Sequence, residues 1–166
     1  MIQNLFFINR MEIQRHYTFD KTERLCSKKL IERLFAGGNK SFPAFPLRVV
    51  YMALEPEENI ADASLLISVP KKRFKHAVKR NRVKRQIREA YRHNKYILLD
   101  ALHALEKPEK MVLSFIWLDN KLHPTEEIEH KVKKLLYHIA EEIQGKNSWL
   151  LYYYYPYVFI GIIYPQ

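Results

Sequence analysis

The sequence predicts an α+β fold, a single small α/β sandwich with helices packed on one central sheet. Three observations carry this expectation. Apolar residues recur at helical spacing in several stretches, and short Val-, Leu- and aromatic-rich runs bounded by Pro or acidic turns alternate with them. The chain of 166 residues is long enough for one domain with a modest core and hardly for two. With 48% apolar residues and only 4 Gly and 8 Pro, wholesale disorder is not expected.

The opening segment to Leu25 is polar and mixed, without a sustained period, and is expected to run along the surface. Ser27 can cap a helix from Lys28 to Ala36, on which Ile31, Leu34 and Phe35 share a face, and Gly37-Gly38 supplies a left-handed stop. Asn39 to Pro46 reads as a Pro-containing connection carrying Phe42 and Phe45, and Leu47 to Leu54 as a strand. Glu55-Pro56-Glu57-Glu58-Asn59 then reads as the turn of a hairpin. Its second strand, Ser64 to Val69, is apolar enough to lie centrally in a sheet, and Pro70 ends it by lacking an N–H.

From about His76 to Tyr96, the apolar residues Val83, Ile87, Ala90 and Tyr91 form one stripe on an otherwise cationic helix. The pattern extends through Leu98, Leu102 and Leu105 towards Pro108. Met111 to Leu118 is a third strand candidate. His123-Pro124-Thr125-Glu126-Glu127 opens a last helix, with Pro near its first turn and acids favourable to the dipole. Ile128, Val132, Leu135 or Leu136, and Ile139 form its inward stripe, and Gly145 stops it.

The net charge of +10 favours an anionic partner, which its size alone leaves open as nucleic acid, a membrane surface or an acidic protein, and its location says more. Between Lys71 and Arg92 stand eleven Lys or Arg residues and one acid, Glu89, so this window alone carries +10. Outside it, 17 basic residues face 17 acidic ones. Within it, Arg80, Lys84 and Arg88 lie along one side of the helix at i, i+4 and i+8, with Arg85 and Arg92 on a neighbouring stripe. No internal neutralisation of this stripe is expected. Such like-charge spacings cost an isolated helix about 0.2–0.5 kcal/mol per pair, a cost that a polyanion removes while counterions are released. Arginine suits bidentate phosphate contact better than lysine. Asn81 can either bond a ribose or base edge or pin the helix start to neighbouring backbone.

The run V-P-K-K-R-F-K-H-A-V-K-R-N-R-V-K-R-Q-I-R-E-A-Y-R, Val69 to Arg92, resembles the signature of the bacterial ribonuclease P protein family. The likeness extends more loosely over Phe19 to Ile143, including E-R-L-C-S-K before the first helix and L-F-A-G-G at its end. It implies a sandwich of order α-β-β-β-α-β-α, of a ribosomal-protein type, for residues 19–145, between an N-terminal extension (1–18) and an apolar aromatic extension (146–166). It also implies a role as the non-catalytic protein subunit of a ribonucleoprotein endoribonuclease in tRNA processing. The subunit binds a catalytic RNA and promotes metal-dependent removal of the 5′ leader from precursor tRNA.

The family assigns the R-N-R helix to contact with the RNA subunit, which carries over to Arg80, Asn81, Arg82, Lys84, Arg85 and Arg88. Lys79 and Arg92 complete the helix's RNA-binding set. Lys71, Lys72, Arg73 and Lys75, at the strand–helix junction, are assigned to RNA without a choice between the two RNAs. In the family a cleft between the first helix and the sheet holds the single-stranded leader, for which the candidates are Ile31, Phe35, Phe42, Arg48, Val50 and Tyr51. Aromatic faces there would stack bases without sequence preference, at about 1–3 kcal/mol per base. Family members often carry a second aromatic one turn before the L-F pair, where this chain has Ile31, which leaves apolar contact without a stack.

No cluster of carboxylates or histidines suited to metal binding or water activation stands out, and no catalytic residue is assigned. By resemblance the chemistry belongs to the RNA and its magnesium ions, with no cofactor on the protein itself. The expected partners are ribonuclease P RNA, one protein per RNA, and precursor tRNA. Cys26 is the only cysteine, which excludes an internal disulfide and fits a reducing cytoplasm. Met1 to Arg10 lacks the features of a signal peptide, and Met11 is an alternative start. Trp149 to Gln166 is apolar, but Pro156 and its tyrosines argue against a membrane span, and packing on the domain is the favoured reading. Two other readings remain: a general RNA-binding or ribosomal-type protein, and a membrane-surface protein anchored by the aromatic tail.

Overall fold

The computed structural model describes residues 15, 17–56, 60–107 and 109–145. The readings of residues 1–14, of Glu57 to Asn59 in the acidic turn and of the aromatic tail from Trp149 lie outside the described residues. The element order is α1 (Lys28–Phe35), β1 (Lys40–Ala44), β2 (Leu47–Leu54), β3 (Ala63–Ser68), α2 (Ala77–Asn94), α3 (Tyr96–His103), β4 (Lys110–Trp117) and α4 (Thr125–Gln144). Mixed helices around one four-stranded sheet are the α+β architecture expected, with the cationic helix broken into two.

Ser27 caps α1 as anticipated, its Oγ accepting from the Leu30 N–H at 3.4 Å. At the other end Gly37 and Gly38 take φ values of 97° and 79°, which favour glycine. The Asn39 side chain donates to the carbonyls of Arg33 (2.6 Å) and Leu34 (2.9 Å), two acceptors the helix leaves open. The residues α1 buries are Leu30 and Leu34, whereas Ile31 is half-buried and Phe35 is 46% exposed.

The sheet order is β1-β2-β4-β3. Residues 40–44, read from sequence as a connection, form an edge strand antiparallel to β2 across the Phe45-Pro46 turn. Pro43 is tolerated there because an edge strand leaves half of its N–H groups unpaired. The expected hairpin between Leu47–Leu54 and Ser64–Val69 does not form. Instead β4 lies between them, antiparallel to β2 and parallel to β3. The reason is burial: residues 111–115 of β4 are buried without interruption, as a strand covered on both faces must be, while Leu66, Ile67 and Ser68 of β3 are only half-buried. The parallel β3–β4 pair requires a crossover, which α2 and α3 supply. The outer edge of β3 meets the chain again at Leu65, whose N–H donates to the Glu23 carbonyl (2.8 Å) and whose carbonyl accepts from Leu25 (3.0 Å).

Two apolar clusters sit on opposite faces of the sheet. The larger joins Leu47, Val49 and Tyr51 of β2 and Leu113, Phe115 and Trp117 of β4 to α2, α3 and α4. The stripe foreseen on α2 is in it: Val83 and Ile87 are fully buried, as are Tyr91 and, nearly so, Ala90. Ile128, Val132, Leu135, Leu136 and Ile139 of α4 are fully buried too, Leu135 and Leu136 both included. The smaller cluster, Leu25, Leu30, Leu34, Leu54 and Val112, lies under α1.

Candidate nucleic-acid interface

Chain geometry places the basic window along one rim of the sandwich. β3 ends in Val69 and Pro70, and a turn closed by the Arg73 N–H on the Pro70 carbonyl (3.0 Å) presents Lys71 and Lys72 to solvent. Phe74 is buried against Trp117, with ring centroids 6.3 Å apart, and anchors this turn to the core. Lys75 is exposed beside the start of α2, and Arg73 reaches Asn120 at 3.4 Å. The α2 N-terminus has neither an acidic residue in its first turn nor a side-chain cap at His76. Its open N–H groups therefore add partial positive charge to the cations around them.

Four of the helix residues assigned to RNA, Lys79, Asn81, Arg82 and Arg85, are exposed, and Lys84 and Arg88 are half-buried along the flank. Among the described residues none of these six side chains has a hydrogen-bond or ion-pair partner. Arg80 and Arg92 differ. The Arg80 guanidinium donates to the carbonyls of Phe74 and Lys75, both at 2.8 Å, and so closes the junction turn on the helix. Arg92 pairs with Glu89 and donates to the Tyr17 carbonyl. The bond to Arg92 holds the Glu89 carboxyl below the usual carboxylate range, against a smaller opposing effect of burial. The cationic stripe is thus neutralised internally at Arg92, contrary to expectation.

The opposite flank of α2 borders on carboxylates. The Gln86 side chain donates to the His123 carbonyl (3.3 Å) and Thr125 Oγ1 (2.9 Å), tying the β4–α4 loop to the helix. There His123 lies between Asp119 (2.7 Å from Nε2) and Glu127 (3.0 Å from Nδ1). Burial disfavours the imidazolium, but the bonds to the two carboxylates outweigh it and the His123 pKa is raised.

The six cleft candidates divide between the two faces of the sheet. Arg48 and Val50 point to the face covered by α1, where Ile31 and Val50 pack against the smaller cluster. Beyond the part of this face covered by α1, Arg48 is exposed and pairs in register with Ile116 of β4, which in turn pairs with Ser68 of β3. Phe35 extends the Ile31 side of α1 by one turn. Phe42 and Tyr51 belong to the other face. The Phe42 ring stacks on His138 of α4 at 3.7 Å between centroids, and Tyr51 is 4% exposed. Burial, with Glu142 beside it, pushes the Tyr51 hydroxyl up to about 12. Strand alternation sends neighbouring residues to opposite faces, so Val50 and Tyr51 could not have shared one site, and the sequence held that signal. For Phe42 the register of β1 was needed.

Sequence reasoning missed Lys95. It sits at the break between α2 and α3, 5% exposed, with its ammonium donating to Glu23 (2.6 Å) and to the Thr18 carbonyl (2.7 Å). Thr18 and Tyr17, assigned to the N-terminal extension, are thereby fastened to the domain. Among the described residues no group of three or more His, Cys, Asp or Glu is arranged to hold a metal ion, and no helix is long and apolar enough to cross a membrane.

Comparison with known proteins agrees with this architecture. The family model for Ribonuclease P matches residues 19–140. A ribonuclease P protein component of Porphyromonas gingivalis is 42% identical over 127 residues, covering 76% of this chain and 90% of that protein. Its counterpart in Chlorobaculum tepidum is 34% identical over 119 residues, 66% of this chain and 77% of that protein. Among solved structures, the RNase P protein of Thermotoga maritima superposes with a TM-score of 0.54 at 21% identity, over 70% of this chain and 96% of that one. A mutant RNase P protein of Staphylococcus aureus gives 0.54 at 22% identity, over 82% and 97%. At those identities the structures speak for the fold, and the sequence matches speak for the family: the chain belongs to the ribonuclease P protein family.

Proposed function

We propose that this chain, as the protein subunit of ribonuclease P, binds the catalytic RNA through the exposed face of α2 and the Lys71–Lys75 turn. The observation that supports this most directly is that the whole excess charge of the chain lies between Lys71 and Arg92, where the side chains of Lys79, Arg82, Lys84, Arg85 and Arg88 have no partner among the described residues. The apolar stripe Val83, Ile87, Ala90 and Tyr91 fixes that face outward. Phosphates arriving there release counterions and relieve the repulsion between like charges on the helix. Asn81, exposed between two arginines, suits a ribose or base edge.

The 5′ leader of precursor tRNA lies, in this reading, on the α1 face of the sheet. Ile31 and Val50 give apolar contact, Phe35 a stacking ring and Arg48 a phosphate partner. Phe42 and Tyr51 are assigned to the core on the opposite face and to no leader contact. The bond cleavage belongs to the RNA subunit with its magnesium ions. The protein contributes affinity, orientation and charge neutralisation, one copy per RNA, and no chemical step is routed through its side chains.

The test is reconstitution. Purified protein added to bacterial ribonuclease P RNA at low magnesium is expected to stimulate precursor tRNA cleavage well above RNA alone. No stimulation, with the RNA active alone at high salt, overturns the reading and leaves a general RNA-binding role.

A further inference from the structure

The two RNA surfaces proposed above are on different elements, and a short segment of chain joins them. Residues 17–25 leave the C-terminal end of α2, pass the outer edge of β3 and lead into α1. At the α2 end, Arg92 holds the Tyr17 carbonyl, the Phe19 ring meets Tyr91 edge-on at 5.8 Å, and Lys95 holds the Thr18 carbonyl. At the β3 edge, the Glu23 carbonyl accepts from Leu65 and Leu25 donates back. Two residues later Ser27 caps α1.

Glu23 stands at the centre of this path. Its backbone is paired with β3, its Oε2 accepts the Asp20 N–H at 2.8 Å, and its Oε1 receives the Lys95 ammonium at 2.6 Å. The side chains of Lys95 and Glu23 are 6% and 13% exposed, so this ion pair is shielded from solvent, unlike the surface pairs Arg15–Asp100 and Lys40–Glu142. Lys95 is itself buried, which removes it from any RNA contact. Removing one partner of such a pair leaves an uncompensated buried charge, which is strongly disfavoured, so the two side chains hold each other in place.

We propose that Lys95 and Glu23 are positioning residues for the leader surface: the pair sets where the 17–25 segment crosses the β3 edge. It thereby sets how α1, with Ile31 and Phe35, sits over Arg48 and Val50. The helix that carries the RNA-subunit contacts thus holds one wall of the leader cleft in place. This inference rests on the leader reading given above.

The experiment uses the full chain reconstituted with ribonuclease P RNA, and two precursors of the same tRNA, one with a long leader and one with a single-nucleotide leader. For Lys95→Met, the dissociation constant of the long-leader precursor is expected to rise about tenfold, the factor that corresponds to about 1.4 kcal/mol of lost binding. Affinity for the single-nucleotide precursor and for the RNA subunit should stay within about twofold, a change of well under about 1 kcal/mol, because α2 keeps its own buried anchors Val83, Ile87 and Tyr91. The double variant Lys95→Leu with Glu23→Leu leaves no orphaned charge and still lacks the tie to the Thr18 carbonyl, so it should show the same split. Amide exchange should quicken over residues 17–35 and stay slow in β4. Equal weakening of both precursors, loss of RNA-subunit affinity, or unchanged exchange in α1 overturns the proposal. A wild-type holoenzyme indifferent to leader length removes the leader reading itself, and the proposal with it, a result distinct from the variants' failure.

Discussion

Arg80 and Arg82 are two residues apart on one helix and carry the same charge, yet they stand in opposite circumstances. Arg82 is exposed, with no partner among the described residues, whereas Arg80 is half-buried and closes the Phe74–Lys75 turn through two carbonyls. Arg92 repeats the Arg80 case with Glu89 and Tyr17, and Arg85 repeats the Arg82 case. Charge density therefore locates the cationic surface, while hydrogen bonding decides which of its cations are available to an external anion and which are holding the surface in shape.

The division can be broken at its base or sharpened at its edges. The largest effect is expected at the stripe beneath both groups: Ile87→Ala, at a fully buried site, should cost about 2–5 kcal/mol in denaturant unfolding. Arg80→Ala comes next. It should lower stability by about 1.5–3 kcal/mol, the range for hydrogen bonds from a charged group, and weaken RNA binding as well. If Arg80→Ala unfolded like wild type, the structural half of the comparison would fail.

Arg82→Ala and Arg85→Ala should behave in the opposite way. Stability should stay within about 0.5 kcal/mol, while the slope of log affinity for the RNA subunit against log salt falls by about 1 for each cation removed. A salt titration of binding measures this, and an unchanged slope would show that these arginines do not meet phosphate.

The smallest effect lies on the carboxylate-bordered flank. The folded-state pKa of His123 is raised by Asp119 and Glu127 against the effect of burial. Its contribution to stability is therefore complete below the unfolded pKa, about 6.5, and is lost as pH rises through the folded value. Unfolding midpoints measured across that range should drift down with rising pH, and His123→Gln should flatten the drift.

Much of this molecule is local and was open to reading. The Ser27 cap, the Gly37-Gly38 stop and the inward stripes of α2 and α4 depend on spacing within a turn or two, which sequence records directly. The proposed leader cleft was legible only in part. Ile31, Phe35, Arg48 and Val50 fall on or beside the α1 face, but Phe42 stacks on His138 and Tyr51 is buried with Glu142 nearby, partners about a hundred residues away in the chain. The break at Lys95 was hidden because Ile97, Leu98 and Leu102 continue a helical apolar pattern through it.

The sequence by itself determined where the charge lies, which helix carries it and which stripe turns that helix outward, because periodicity and composition are properties of neighbouring residues. Only the tertiary structure decided that β4 separates β2 from β3, that Arg80, Arg92 and Lys95 are engaged within the protein, and that residues 17–25 link α2 to α1. Those outcomes depend on which carbonyls, carboxylates and strand edges the folded path brings together, and pairing between distant segments leaves no period in the chain.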